Sequence, residues 1–103
     1  MDIDDYVDWA RGTASSGASV DGSTTHLAIL ALSLLGDAGE VADLVKKHLR
    51  DGVLDRDRLA NELGDVLYYW AQLCAVTGMT PSKLLEQSRH NIEKRLVGRK
   101  TGN

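Results

Sequence analysis

The sequence of 103 residues has no phenylalanine, only five aromatic residues, and a single proline. Apolar residues still make up 43% of it, so leucine, valine and alanine must fill most of the interior. Aromatic and β-branched residues favour strands, whereas leucine and alanine favour helices. The scarcity of aromatics and of helix-breaking proline therefore predicts an all-α fold. At this length we expect one domain, covering residues 1–103.

Other absences bear on where the protein works. The lone cysteine, Cys74, has no intrachain partner, which suits a reducing compartment. The longest apolar run, from Leu27 to Leu35, is interrupted by Ser33 and is far too short to span a bilayer. The acidic start does not resemble a signal peptide, and the net charge of −3 gives no general attraction to nucleic acid. We expect a cytoplasmic protein with neither membrane nor nucleic-acid partners.

Four helices are predicted from the 3.6-residue period of apolar positions, at about residues 3–13, 25–50, 56–77 and 81–96. A link rich in Ser and Gly covers residues 14–23, and a loose tail covers about residues 97–103. The expected N-terminal caps are Asp2, Ser23 or Thr24, Asp55 and Thr80. The short connection between the second and third helices predicts an antiparallel pair, and hence a helical bundle.

Two acidic pairs share one spacing, Asp37-x-x-Glu40 on the second helix and Glu62-x-x-Asp65 on the third. Residues three apart are neighbours on a helix surface, so each pair presents two carboxylates to one point. At about 100° per residue, both pairs fall on the same flank of the apolar stripe of their helices. A carboxylate beside an apolar seam costs free energy unless it is paired or bound to a metal. The antiparallel pair is therefore expected to bring all four acids together around a divalent cation.

Four hard oxygen ligands, with no cysteine and no histidine at ligand spacing, favour Mg²⁺, with Mn²⁺ as the alternative. A cation held in this way lowers the pKa of a bound water and stabilises charge on phosphoryl oxygens, which indicates phosphoanhydride hydrolysis. A phosphate site also needs cations from the protein. Lys47 returns to the face of Glu40 two turns later, and Lys94, with Asn91 one turn before it, comes from the fourth helix.

These residues resemble the MazG-like nucleoside triphosphate pyrophosphohydrolases. The matching segments are Leu35-Gly36-Asp37-Ala38-Gly39-Glu40-Val41, Val45-Lys46-Lys47, Glu62-Leu63-Gly64-Asp65-Val66-Leu67-Tyr68-Tyr69 and Asn91-Ile92-Glu93-Lys94. The resemblance implies an all-α homodimer or dimer of dimers. It also implies Mg²⁺-dependent hydrolysis of nucleoside triphosphates to the monophosphate and pyrophosphate, with water attacking the α-phosphorus. One departure is Asp37, which stands where the family usually has the longer Glu.

Carried onto this sequence, the resemblance assigns metal binding and catalysis to Asp37, Glu40, Glu62 and Asp65, one of which would orient the water. Lys47, Asn91 and Lys94 would contact or position the triphosphate, and Tyr69 would line the substrate cavity.

Two other interpretations remain open. The chain could be a non-catalytic, oligomeric helical module that binds a nucleotide or a protein partner. It could also be a structural bundle whose acids pair with Lys46, Lys47 and Arg58. Oligomerisation is expected on separate physical grounds, because a chain of this size with few aromatics buries a limited core. Two exposed sets are expected to meet a second copy, Leu35, Ala38 and Ala42 on the second helix and Leu67, Tyr68 and Ala71 on the third.

Overall fold

The computed structural model describes residues 1–13 and 22–100, and within them the chain forms four helices and no strand. The helices are α1 (Ile3–Gly12), α2 (Thr24–Asp51), α3 (Arg56–Thr77) and α4 (Pro81–Lys100). The all-α prediction is confirmed. The fourth helix continues four residues beyond its predicted end near Leu96. Most of the predicted Ser- and Gly-rich link, and the last three residues of the predicted tail, lie outside the described residues.

Local sequence sets the helix boundaries by satisfying the end groups of each helix. The carboxylate of Asp2 accepts from the backbone N–H of Asp5, which completes a capping box at the start of α1. Ser23 caps α2, and Asp55 caps α3 by accepting from the N–H of Arg58. At the other end, α2 and α3 stop at glycines with positive φ, 78° at Gly52 and 68° at Gly78. A left-handed residue after a helix costs least when it is glycine.

The four-residue connection after α2 turns α3 back along it, so the two long helices lie antiparallel. At the other end of the pair, the chain just before α2 lies close to the end of α3, since a Cβ atom added to Gly22 would lie 3.7 Å from the carbonyl oxygen of Val76. Leu30 and Leu44, on the predicted stripe of α2, are buried. This pairing brings Asp37 of the first acidic pair close to Glu62 and Asp65 of the second.

Helix α1 packs across the C-terminal half of α3. Val7 and Ala10 of α1 form one buried cluster with Ala71 and Cys74 of α3. Tyr68 packs against the same cluster. The expectation that a second copy covers Tyr68 and Ala71 is therefore wrong, because α1 of the same chain already covers them. Helix periodicity identifies the apolar side of α3 but does not identify the helix that packs against it.

Helix α4 is attached mainly at its beginning, where the N–H of Ser82 donates to Asp4 of α1 at 2.9 Å. Pro81 is buried and Leu84 packs on the core, but most side chains from Leu85 to Gly98 are exposed. The Cα radius of gyration is 16.7 Å, whereas a compact domain of this length would have about 13 Å. None of the helices in the described part of the chain has an apolar stretch that could cross a membrane.

Candidate metal and nucleotide site

Three of the four predicted acids converge between α2 and α3. Asp37 of α2 and Glu62 and Asp65 of α3 each place a carboxylate oxygen within 4.8 Å of the other two. Asp37 and Glu62 are half-buried and Asp65 is exposed, so the group lies at the solvent-exposed edge of the contact between α2 and α3. Carboxylate oxygens are the kind of ligand that Mg²⁺ and Mn²⁺ take in proteins.

Glu62 carries the clearest electrostatic signature of the site. Its Oε2 atom is buried and accepts no hydrogen bond from any residue in the described ranges 1–13 and 22–100. Partial burial raises the pKa of the Glu62 carboxyl, and the negative charges of Asp37, Asp65 and Glu40 raise it further, against a lowering by Arg58. A buried carboxylate oxygen without a donor costs free energy. A cation among these acids would remove both the missing contact and the repulsion, so the residues present fit a divalent metal.

Glu40 stands apart from the three converging acids. It is exposed, one turn beyond Asp37, and its charge still acts on Glu62. Asp37 is half-buried on the side of α2 that meets α3, whereas Glu40 is exposed. The assignment of Glu40 as the fourth ligand therefore stays a prediction.

Lys47, predicted to contact phosphate, forms an ion pair with Asp43, with 2.8 Å between Lys47 Nζ and Asp43 Oδ2. Lys46 lies 3.9 Å from the other oxygen of Asp43. These pairs argue against the interpretation in which both lysines neutralise the acids of the predicted site. The ion pair with Lys47 also lowers the pKa of Asp43. Asp43 and Arg58 were not predicted as site residues, although Asp43–Lys47 and Arg58–Glu62 have the i, i+4 spacing of helical neighbours.

Tyr69, predicted to line the substrate cavity, is half-buried one turn beyond Asp65. Its ring meets that of Tyr68 edge to face, with 5.4 Å between the centroids. Trp9 of α1 contacts Tyr68 in the same way at 6.2 Å and is 52% exposed. A row of aromatic rings thus leads from α1 to the residue that follows the acids on α3.

Asn91 and Lys94 lie on the exposed part of α4. Asn91 falls on the same line of α4 as Leu84, and helix periodicity alone would therefore make it a buried amide. In the structure it lines an open groove of about 480 Å³, together with Trp70 and Arg95. None of the four acids lines this groove. The fold therefore brings three of the four acids together but leaves the α4 residues on a separate surface of the chain.

Comparisons with known proteins identify the family of the chain. A sequence model of the MazG nucleotide pyrophosphohydrolase domain matches residues 24–98, which contain α2, α3 and nearly all of α4. The chain is also similar to the Gene 37 protein of Mycobacterium phage L5, with 38% identity over 101 aligned residues, covering 92% of this chain and 89% of that protein. No solved structure matches the chain. The resemblance seen in the sequence is thereby confirmed, and the chain belongs to the MazG nucleotide pyrophosphohydrolase family.

Proposed function

We propose that this protein is a Mg²⁺-dependent nucleoside triphosphate pyrophosphohydrolase that converts an NTP or dNTP to the monophosphate and pyrophosphate. The observation that carries the proposal is the convergence of Asp37, Glu62 and Asp65, together with a buried Glu62 oxygen that accepts no hydrogen bond from the residues that the structure describes. Family membership supports the same chemistry. The proposed catalytic unit is a single domain that works as a homodimer or a dimer of dimers.

The ligands of Mg²⁺, or of Mn²⁺ in its place, would be the carboxylates of Asp37, Glu62 and Asp65, with Glu40 as the fourth. A cation held there supplies positive charge for the phosphoryl oxygens and lowers the pKa of a bound water. In the reaction, the water oxygen forms a bond to the α-phosphorus and the bond to the α–β bridging oxygen breaks. One of the four acids orients the water and accepts its proton.

The remaining predicted residues are proposed to bind the substrate. Lys47 is proposed to supply a positive charge for the phosphates, and its ion pair with Asp43 restrains the direction of its side chain. Tyr69 forms a wall of the cavity next to Asp65. Asn91 and Lys94 are proposed to contact the triphosphate. Because they lie on a helix that does not border the acids in one chain, α4 must shift toward the site or a second copy must supply them.

The test is release of pyrophosphate from a panel of nucleotides with Mg²⁺, with identification of both products. The parent chain is compared with Glu40→Gln and Asp65→Asn, which keep side-chain size but remove charge, and with Asp57→Asn, an exposed acid of the first turn of α3 outside the site. We expect activity in the parent and in Asp57→Asn and a loss of at least about 100-fold in the other two. Equal activity in all four proteins would rule the proposal out. Nucleotide binding without turnover, measured by calorimetry, would instead support the non-catalytic module.

A further inference from the structure

One line of side chains runs along α3 through the acid site. It consists of Arg58, Glu62, Asp65 and Tyr69, which fall within about 60° of one another around the helix and span about 16 Å along it. The line begins with a cation near the connection between α2 and α3, passes through two of the converging acids, and ends with an aromatic ring. The acid site therefore has two chemically different ends along α3.

The side chain of Arg58 has no partner at its charged end. Its guanidinium makes no hydrogen bond or ion pair with the residues that the structure describes, and the side chain is exposed. Glu62 follows four residues later, the spacing of helical ion pairs, yet its buried Oε2 accepts no hydrogen bond from Arg58. By contrast, Arg50 donates two hydrogen bonds to Asp51. Arg58 thus keeps its fork of N–H donors available for an anion.

The charge of Arg58 acts on one carboxylate of each helix. On α3, partial burial and the neighbouring acids raise the pKa of Glu62, and Arg58 works against that rise. On α2, the hydrogen bond from Lys47 lowers the pKa of Asp43, and the charge of Arg58 lowers it further. Lys47 and Arg58 thus bring positive charge from both helices to Asp43, which lies nearer to the end of α2 than Asp37 does.

We infer that Arg58 is a further substrate-binding residue, which binds the β- and γ-phosphates and directs the pyrophosphate end of the substrate toward the connection between α2 and α3. The nucleoside end then lies toward Tyr69. This rests on the proposed hydrolysis of a nucleoside triphosphate. A guanidinium binds phosphate oxygens through paired hydrogen bonds, which fix direction as well as supply charge. In the reverse orientation, the polyphosphate would face the rings of Tyr69 and Tyr68 and leave Arg58 beside an uncharged nucleoside.

The other arginine of α3 provides a matched control. Arg56 is the first residue of the helix and, at about 100° per residue, lies about 160° around it from Arg58. Both side chains are exposed, and within the described parts of the chain neither forms an ion pair. The two arginines carry the same charge at the same end of α3 but occupy different faces. Comparing them separates a phosphate contact from a general attraction of anions.

Calorimetry of the full chain with Mg²⁺ and inorganic pyrophosphate measures this contact without turnover. We expect Arg58→Ala to raise the Kd for pyrophosphate about tenfold, because a charge-assisted contact is lost, and Arg56→Ala to leave it unchanged. Arg58→Lys keeps the charge but not the paired donors, so its Kd should fall between those of the parent and Arg58→Ala. The same Kd for the parent, Arg58→Ala and Arg56→Ala, or no binding by the parent, overturns the inference.

The nucleoside monophosphates of the hydrolysis panel test the direction. Arg58→Ala should leave their Kd values unchanged. Tyr69→Leu, checked for folding by circular dichroism, should weaken monophosphate binding and leave pyrophosphate binding unchanged. Equal weakening of both ligands by Arg58→Ala, or binding of no monophosphate by the parent, overturns the assigned direction.

Titration with Mg²⁺ alone distinguishes a phosphate contact from an effect that passes through Glu62. Removing a positive charge from the surroundings of a cation site should not weaken it, so Arg58→Ala should bind Mg²⁺ at least as tightly as the parent. Weaker Mg²⁺ binding by Arg58→Ala would show that the residue acts by arranging the acids and overturns the inference. Nucleotide hydrolysis with no effect of Arg58 overturns this inference alone. The expected differences in binding without any hydrolysis would instead overturn the proposed reaction alone.

Discussion

The side-chain amide of Gln72 donates a hydrogen bond of 2.6 Å to the carbonyl oxygen of Ala10 and so ties α1 to α3. Gln72 is 3% exposed, and the same nitrogen lies 3.0 Å from the hydroxyl of Tyr68. That hydroxyl in turn contacts the hydroxyl of Thr13 at 2.5 Å. One buried amide thus connects the end of α1 to the α3 residues that follow the acids.

Replacing this amide should loosen the attachment of α1. Gln72→Met has nearly the same shape but no donor, and we expect it to lower the free energy of unfolding by about 1–2 kcal/mol. The loss is limited because the Ala10 carbonyl still accepts from Thr13. Urea denaturation at one fixed protein concentration measures the change. Gln87→Met, at an exposed position of α4, is the control, and equal stability of the two variants would show that the network contributes nothing.

Neutralising Glu62 should have opposite effects with and without a cation. In EDTA at pH 7, we expect Glu62→Gln to melt a few degrees above the parent, because the amide can donate to the neighbouring carboxylates and relieves the repulsion among them. Mg²⁺ should raise the melting temperature of the parent and leave that of Glu62→Gln nearly unchanged.

Differential scanning fluorimetry across a Mg²⁺ titration measures both effects. Glu86→Gln, an exposed acid of α4, should behave like the parent. If Mg²⁺ does not change the melting temperature of the parent, the assignment of these acids to a metal site is wrong.

The fold was largely predictable because its signals are local. Asp2, Asp55 and the glycines at 52 and 78 mark helix ends by side-chain and backbone preferences that act within one turn, so the boundaries of α3 were predicted to the residue. The length of α4 was not predicted correctly, because residues from Leu96 to Lys100 have no stop signal strong enough to end the helix. Which helix covers Tyr68 depends on the crossing of α1 over α3, a tertiary relationship that helix periodicity does not encode.

In the candidate site too, relationships set by local sequence were predictable, whereas those set by tertiary packing were not. Asp37, Glu62 and Asp65 were predictable as neighbours because one short turn fixes the pairing of α2 with α3. The surroundings of Asn91 were not predictable, because they depend on the direction that α4 takes after Leu84. The ion pair between Lys47 and Asp43 follows the i, i+4 rule and could have been predicted from spacing alone.

Removing the charge of Lys47 should weaken substrate binding. We expect Lys47→Ala to raise the KM for a nucleoside triphosphate about tenfold with a smaller change in kcat, since a phosphate contact made in both the ground state and the transition state mainly affects binding. Lys46→Ala is the matched control, because that side chain is 72% exposed and lies 3.9 Å from the shared partner Asp43. Steady-state kinetics that give the same KM for both variants would remove Lys47 from the substrate site.

The buried thiol of Cys74 should make stability fall at alkaline pH. Burial raises the pKa of Cys74 above its ordinary value, so the unfolded chain loses this proton at a lower pH than the folded protein does. The contribution to stability is complete below the unfolded pKa of about 8.5 and is lost as pH rises from there through the folded pKa. Urea denaturation between pH 7 and 10 should therefore show a steeper decline for the parent than for Cys74→Ala. Lysines and tyrosines titrate in both proteins, so the difference between the two slopes isolates the thiol. Parallel slopes, or rapid reaction of the native thiol with a disulfide reagent at pH 8, would show that Cys74 is open to solvent and that α1 does not seal this part of the core.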